Sequence, residues 1–261
     1  MNILGEIVSQ RRRDIHQNRA ELPEEQLREE ALQTPRPKDF AHALTSPNES
    51  PAVIAEIKRA SPSRGVIRSE LDAAALATEL EAHGAAALSI LTEPHYFDGA
   101  PEFLERAAEN VSIPLLCKDF IVEPYQIYQA RRWGASAVLL IAAILSAEDI
   151  ASLCSTASSC GLSVLLEVHT EEELEKTQSA EAPVLGINSR NLENFQTSLQ
   201  HTLTLLKHVP EECIKVAESG IFSHRDIAEL SHAGADAFLI GEALMQSHEP
   251  GKELQRLRGK A

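Results

Sequence analysis

The chain has 261 residues, 43% of them hydrophobic and 24% charged, with a formal net charge of -15. That composition is ordinary for a globular protein with a sizeable core; no apolar run approaches bilayer length, and the acidic balance argues against nucleic acid or an anionic membrane as a partner. An anionic ligand must then meet a locally positive pocket, so individual lysines and arginines are more informative than their total.

The opening "MNILGEIVSQRRRDIHQ" is too charged for a secretory signal and lacks its apolar block, which implies a cytoplasmic address. Residues 1–48 read as a helical extension: Ile3, Leu4, Ile7, Val8 and Ile15 make a patchy helical face, "PEEQLREEAL" a second short helix, and "PRPKDFAHALTSP" turns into a third. A solvated charged tail is the competing reading, and the near-helical recurrence of apolar residues speaks against it.

The first strand is "VIAEIK" (53–58), which ends in a carboxylate and an ammonium, Glu56 and Lys58, at inward-facing positions before a Ser-Pro-Ser-Arg-Gly turn. Three later segments share one plan: "EAHGAAALSILTE", "RRWGASAVLLIAA" and "SHAGADAFLIGEA" each run from a helical end through Gly-Ala into an apolar strand. Gly84, Gly134 and Gly234 fit the left-handed position that closes a helix. Between them lie "IPLLCKDF", "SVLLEV", "PVLGINSR" and "CIKVAESG", each followed by a polar turn and a helical pattern, for eight strands in all. Near-continuous apolar strands alternating with amphipathic helices indicate a parallel sheet under helices, and eight units favour a closed (β/α)8 barrel. An open doubly wound sheet is the alternative, but "KRASPSRG" has one glycine where a dinucleotide fingerprint needs three. The expectation is a single (β/α)8 TIM barrel domain over 1–261, with residues 1–48 as its N-terminal extension.

Active sites of such barrels sit at the carboxyl ends of the strands. In order those ends offer Glu56 and Lys58, Thr92 and Glu93, Lys118 and Asp119, apolar Leu139 and Leu140, Glu167, Asn188 and Arg190, Glu218 and Ser219, and Gly241. A strand-end Glu or Lys can simply leave the core, yet polar groups converging from six of eight strands define a cavity. Two ammonium groups and two carboxylates in one cavity push their pKa values apart, which supplies a proton donor and an acceptor near neutral pH. Gly220 in "AESGIFS" and Gly241 in "IGEALM" let backbone N–H groups approach an anion, with a short helix starting near Glu242; close-packed turns are the other reading. Tyr96 and Phe97 in "EPHYFDG", with Phe120, are placed to wall an apolar ring or to pack their own loop, while Trp133 reads as structural. Cys117, Cys154, Cys160 and Cys213 lack metal-ligand or disulfide spacing and read as buried free thiols.

The runs "EIKRASPS", "LTEPHYFDG", "KDFIVEPYQI", "LLEVH", "GINSRNL", "VAESGI" and "FLIGEALM", in order and each at a strand end, strongly resemble the indole-3-glycerol phosphate synthase family. The resemblance implies a lyase of tryptophan biosynthesis that closes the indole ring of 1-(2-carboxyphenylamino)-1-deoxyribulose 5-phosphate with loss of CO2 and water. By motif, Lys118 resembles the general acid and Glu167, Glu56 and Lys58 its acid–base partners, with Asn188 and Glu218 in the same catalytic set. Glu167 is the first choice of base and Lys58 of second acid, with Glu56 holding the lysines. Ser61, Arg190 and Ser219 line the resembling pocket; Phe97, Phe120, Leu139, Leu192 and Ile240 supply apolar walls, and Gly220 and Gly241 the phosphate cradle. No metal and no cofactor are implied, and the partner is a small molecule bearing phosphate and carboxylate, acted on by a monomer. Two departures stand out: Glu242 occupies a place where some relatives carry a hydroxyl, and "LLIAAIL" lacks a lysine that some place after strand four. A Schiff-base aldolase using Lys118 or Lys58, a sugar-phosphate isomerase and an inactive scaffold barrel are the rival readings.

Overall fold

In the computed structural model, which describes residues 3–46, 51–178, 180, 182–190 and 196–260, eight parallel strands close into a barrel. They are β1 (Ala52–Ile57), β2 (Ala87–Leu91), β3 (Leu115–Lys118), β4 (Ala137–Ile141), β5 (Ser163–Val168), β6 (Val184–Asn188), β7 (Ile214–Glu218) and β8 (Ala237–Ile240). Each pairs with the next, and β1 closes the ring by pairing with both β2 and β8. All eight expected strands form, and the open-sheet alternative is set aside. Most are shorter than the apolar runs suggest because their last polar residues leave the ladder and enter the rim.

The strands are apolar on both sides because both sides are covered. Outward-facing Val53, Ala55 and Ile57 pack with helical Leu76, Ala77 and Leu80. Inward-facing Ala52, Ile54, Leu116, Ala137, Leu165, Val184, Val216 and Leu239 fill the barrel itself. The strand-following helices are α4 (Ala73–Ala82), α5 (Pro101–Asn110), α6 (Pro124–Arg132), α7 (Ala147–Ser159), α8 (Glu171–Lys176), α9 (Leu199–Leu205) and α10 (His224–His232), with α11 (Glu242–Gln246) and α12 (Pro250–Leu257) after β8. Ser146 with Asp149 and Ser223 with Asp226 form capping boxes that satisfy the first N–H groups of α7 and α10. Gly84, Gly134 and Gly234 end helices at φ 89, 91 and 101, as the repeated Gly-Ala signal requires.

Three helices precede the barrel: α1 (Ile3–Glu21), α2 (Glu24–Gln33) and α3 (Phe40–Thr45). Phe40 and Leu44 of α3 join the inner core beside the first residues of several strands, so α3 plugs the amino end of the barrel. Helix α1 reaches the opposite end, where Arg11 grips Asp119 and Leu4 enters the cavity lining. Trp133 packs partly buried against the core, consistent with a structural role. Cys117, Cys154 and Cys160 are buried free thiols, but Cys213 is only half-buried because it lies at the start of β7, on the rim that faces away from the cavity. Among the described residues no helix is long and apolar enough to cross a membrane.

Candidate active site

Side chains alternate along a strand, so residues two apart share a face. That period carries the interior of the barrel from packing to charge within one step: Ile54 to Glu56, Leu116 to Lys118, Leu165 to Glu167 and Val216 to Glu218. The ladder brings the charged positions together, with Asn188 level with Glu218 and Glu167 level with Gly186. Glu56, Glu167 and Glu218 are all buried.

Lys58 Nζ donates to Glu56 Oε1 at 2.6 Å, while Lys118 Nζ lies 3.8 Å from Glu56 Oε2 and 3.7 Å from Glu167 Oε2. Glu56 thus stands between two lysines, and Lys118 between two glutamates. Burial alone would discharge Lys118, but Glu167, Glu56 and Glu218 together hold its pKa above the ordinary lysine value. Burial likewise favours a protonated Glu56, and Lys58 and Lys118 outweigh it, holding that carboxyl below its usual range. The remaining two carboxyls part company. Glu218 is pushed well above the usual range by burial and then by the Glu167 charge, whereas in Glu167 the penalty of burial is outweighed by Lys118 and His169, leaving it ionised. One site therefore brings a charged lysine beside two buried carboxyls whose proton affinities are driven apart, Glu167 downward and Glu218 upward.

Two glycines make room for these groups. A Cβ on Gly186 would collide with Glu218 Oε1, and one on Gly241 with Glu56 Oε1. Gly186 escapes notice in "VLGIN", although an isolated glycine inside a strand pattern is itself a sign of close approach.

Phe97 and Phe120 face each other at one side, with ring centroids 5.9 Å apart and planes at 40°. Each is held by a buried carboxylate. Glu93 accepts the N–H groups of His95, Tyr96 and Phe97, and Asp119 accepts that of Phe120 at 2.7 Å. Asp119 also takes both ends of the Arg11 guanidinium at 2.9 Å and the Thr92 hydroxyl at 2.8 Å. Thr92, Glu93 and Asp119, which the strand ends offer as cavity groups, thus serve the loops, and only Asp119 also touches the cavity lining. Tyr96 stays outside it. Arg11 could not be singled out from "RRRD", since its partner lies 108 positions away.

Across the cavity, Ser219 and Gly220 are both left-handed, at φ 64 and 71. For serine this conformation is strained, and strain that persists in a folded chain gathers at functional turns. Beside it, Glu242 begins α11 and pairs with Arg64 at 2.7 Å and Arg190 at 3.2 Å, so two cations compensate the acidic residue at this place. Ser61, Leu139 and Ile240 line the same cavity. Every described residue that the family resemblance assigns to the site borders it, and Leu192 lies outside the described residues. Among the described residues no group of three or more His, Cys, Asp or Glu side chains is arranged to hold a metal ion.

A closed barrel whose carboxyl rim gathers buried acids and bases above an apolar plug defines a (β/α)8 enzyme acting on a small molecule. Solved structures agree on the fold: 3-hexulose-6-phosphate synthase from Salmonella typhimurium superposes with a TM-score of 0.65 at 12% identity, covering 80% of this chain and 97% of that one. The tryptophan synthase alpha subunit of Legionella pneumophila gives 0.62 at 18% identity, covering 85% of this chain and 97% of that one. The family is set by sequence. Residues 4–257 match the family model of indole-3-glycerol phosphate synthase. The chain is 45% identical over 258 residues to indole-3-glycerol phosphate synthase of Dechloromonas aromatica (strain RCB) and 44% identical to that of Acidithiobacillus ferrooxidans (strain ATCC 53993 / BNL-5-31), each over 98% of both chains. The chain belongs to the indole-3-glycerol phosphate synthase family.

Proposed function

We propose that this chain closes the indole ring of 1-(2-carboxyphenylamino)-1-deoxyribulose 5-phosphate through the groups described above. The observation that carries the residue assignment is geometric: Lys118 Nζ lies 3.7 Å from Glu167 Oε2 and 3.8 Å from Glu56 Oε2, with Glu218 buried in the same site and pushed toward its protonated form by burial and the Glu167 charge. Attack of the carboxylate-bearing ring carbon on the sugar carbonyl places negative charge on oxygen, and Lys118 gives that oxygen its proton. Loss of CO2 restores aromaticity. The new hydroxyl then leaves as water, which takes a donor and an acceptor at once: Glu218 gives the proton and Glu167 removes one from the ring side, so that proton transfer between the two carboxyls resets the pair. Lys58, locked onto Glu56 at 2.6 Å, becomes a holder of the ring of charges more than a second acid.

Phe97 and Phe120 hold the aryl ring, and backbone N–H groups at Gly220 and Gly241 take the phosphate, with Arg64 and Arg190 close by on Glu242. Anchoring both ends of a flexible substrate brings its reacting carbons together and removes part of the entropic barrier. The reading includes a cytoplasmic monomer, in which residues 1–48 and the barrel act as one unit.

The balance of this scheme is testable. Two protons are given and one is taken, so each turnover of a carboxylate substrate takes up one proton from solvent. The purified protein supplied with that substrate is expected to form the indole chromophore, release CO2 and consume protons in equal amounts in the initial phase, before the CO2 hydrates to bicarbonate and returns its proton. Absence of indole absorbance at saturating substrate contradicts the proposal. Borohydride during turnover is expected to fix nothing covalently, since no imine forms; trapped lysine would favour the aldolase reading.

A further inference from the structure

One buried titratable side chain stands directly behind the reacting groups and has no part in the scheme above. His169 follows β5 two residues after Glu167, and it is buried. Its ring lies between two carboxylates from different elements. Nε2 is 3.4 Å from Glu167 Oε1, and Nδ1 is 3.3 Å from Glu173 Oε2 on α8. Glu173 is itself fixed, since its carboxylate accepts the His169 backbone N–H at 2.7 Å and its own N–H donates to the N-cap Thr170 hydroxyl. On the far side, His201 of α9 reaches the His169 carbonyl at 2.6 Å. The ring therefore lies between carboxylates of β5 and α8, and its backbone is tied to α9.

Helix capping explains Glu173 and the backbone, but it leaves the ring unexplained. His169 Nε2 is buried without a hydrogen-bond partner among the described residues, and it faces Glu167. With a carboxylate at each nitrogen, a neutral ring would turn one lone pair toward a negative charge; only the doubly protonated ring offers a proton to both. We propose that His169 is a positioning residue for the reaction: as an imidazolium bridging Glu173 and Glu167, it fixes the orientation of the Glu167 carboxylate and keeps that group in its proton-accepting form.

The charges around it agree in sign. Burial opposes a charged ring, and the hydrogen bond to Glu173 with the charges of Glu167 and Glu173 overcome both that and the repulsion of Lys118, so the His169 pKa lies above the ordinary histidine value. A cation this close favours ionised Glu167. Removing it raises the Glu167 pKa, so the base is lost at a higher pH as the solution is acidified.

This inference rests on Glu167 being the base, and the test separates the two ideas. The pH dependence of single-turnover rates is measured for the wild type, His169→Gln, Glu173→Gln and Glu167→Gln, and for each of the first two substitutions combined with Glu167→Gln. Gln at 169 keeps a donor of similar reach, and Gln at 173 keeps an oxygen for the backbone N–H, so capping survives while charge is lost. In His169→Gln the acidic limb is expected to move up by about one pH unit, and loss of the fixed carboxylate orientation is expected to lower the plateau rate at neutral pH about tenfold. Glu173→Gln is expected to shift the limb the same way by less, and it carries the test should His169→Gln fail to fold. Neither change is expected to move the limb once Glu167 is Gln. Nitrogen-15 spectra of the free enzyme are expected to show His169 doubly protonated at pH 7. Folded variants with the wild-type limb beside a slow Glu167→Gln, or a neutral His169 ring, overturn the positioning role alone. Wild-type turnover in Glu167→Gln overturns the assignment of the base itself and with it the role given to His169.

Discussion

The lower and upper interior of the barrel are made by the same strands, two residues apart, and they do opposite work. Below, Ile54, Leu116, Leu165 and Val216 sit fully buried against one another and against Phe40. Above, Glu56, Glu167 and Glu218 are buried and Lys118 is largely so, yet the proton affinity of each is shifted up or down by its neighbours. Burial is common to both layers, so it cannot be what separates stability from chemistry. The difference lies in what each layer does with it. Apolar side chains gain from leaving water, whereas the ring of ionisable groups is costly to desolvate and is held by mutual compensation, which is how unusual protonation states arise at neutral pH.

Substitutions one step apart on a single strand should separate the two layers. The largest effect expected is that of Lys118→Met, which keeps length but removes the proton and the charge: kcat should fall by roughly two to four orders of magnitude while the product still binds, as followed by product fluorescence on titration. Near-normal turnover would remove Lys118 from the chemistry. Two residues earlier, Leu116→Ala should cost about 2–5 kcal/mol of unfolding free energy in urea titrations, with kcat at 25 °C changed only a few-fold. A variant as slow as Lys118→Met would mean that the layers are not separable.

Gly186→Ala should then sharpen the boundary from the sixth strand. Its new methyl group would collide with the Glu218 carboxyl. A drop in kcat of about tenfold to a hundredfold with little change in KM is expected, because the proposed scheme uses the displaced group in dehydration and not in holding the substrate. Equal loss in KM would place Gly186 at the binding end instead. The smallest effect is none at all: dialysis against a strong chelator should leave the rate unchanged, and activity that returns only on adding a divalent ion would contradict a site run on side-chain protons.

Much of this layout was legible because strand periodicity and a parallel barrel leave little freedom. "VIAEIK", "LLCK" and "SVLLEV" each place a charge two residues past an inward apolar position, and the closed sheet has only one end at which such charges meet. What stayed hidden depends on side-chain direction or distant partners. Thr92, Glu93 and Asp119 lie at strand ends as Lys118 does, yet Glu93 and Asp119 accept loop N–H groups, Asp119 also takes Arg11, and the Thr92 hydroxyl donates to Asp119. Which of several carboxyls keeps its proton depends on distances of a few ångströms, which spacing along the chain does not contain. Glu242 adds a negative charge beside Gly241, and its compensation by Arg64 and Arg190 likewise joins residues far apart in the chain.

Glu167 and Glu218, on β5 and β7 either side of β6, are driven in opposite directions by their surroundings, and the proposed chemistry requires them to hold opposite protonation states in the free enzyme. Difference infrared spectroscopy of the free enzyme at pH 7, comparing the wild type with Glu218→Gln and Glu167→Gln, reads this directly. A protonated-carboxyl band present in the wild type and lost only in Glu218→Gln is the predicted result. A wild-type spectrum with no such band, or one that vanishes in Glu167→Gln while Glu218→Gln retains it, would contradict the assignment of donor and acceptor.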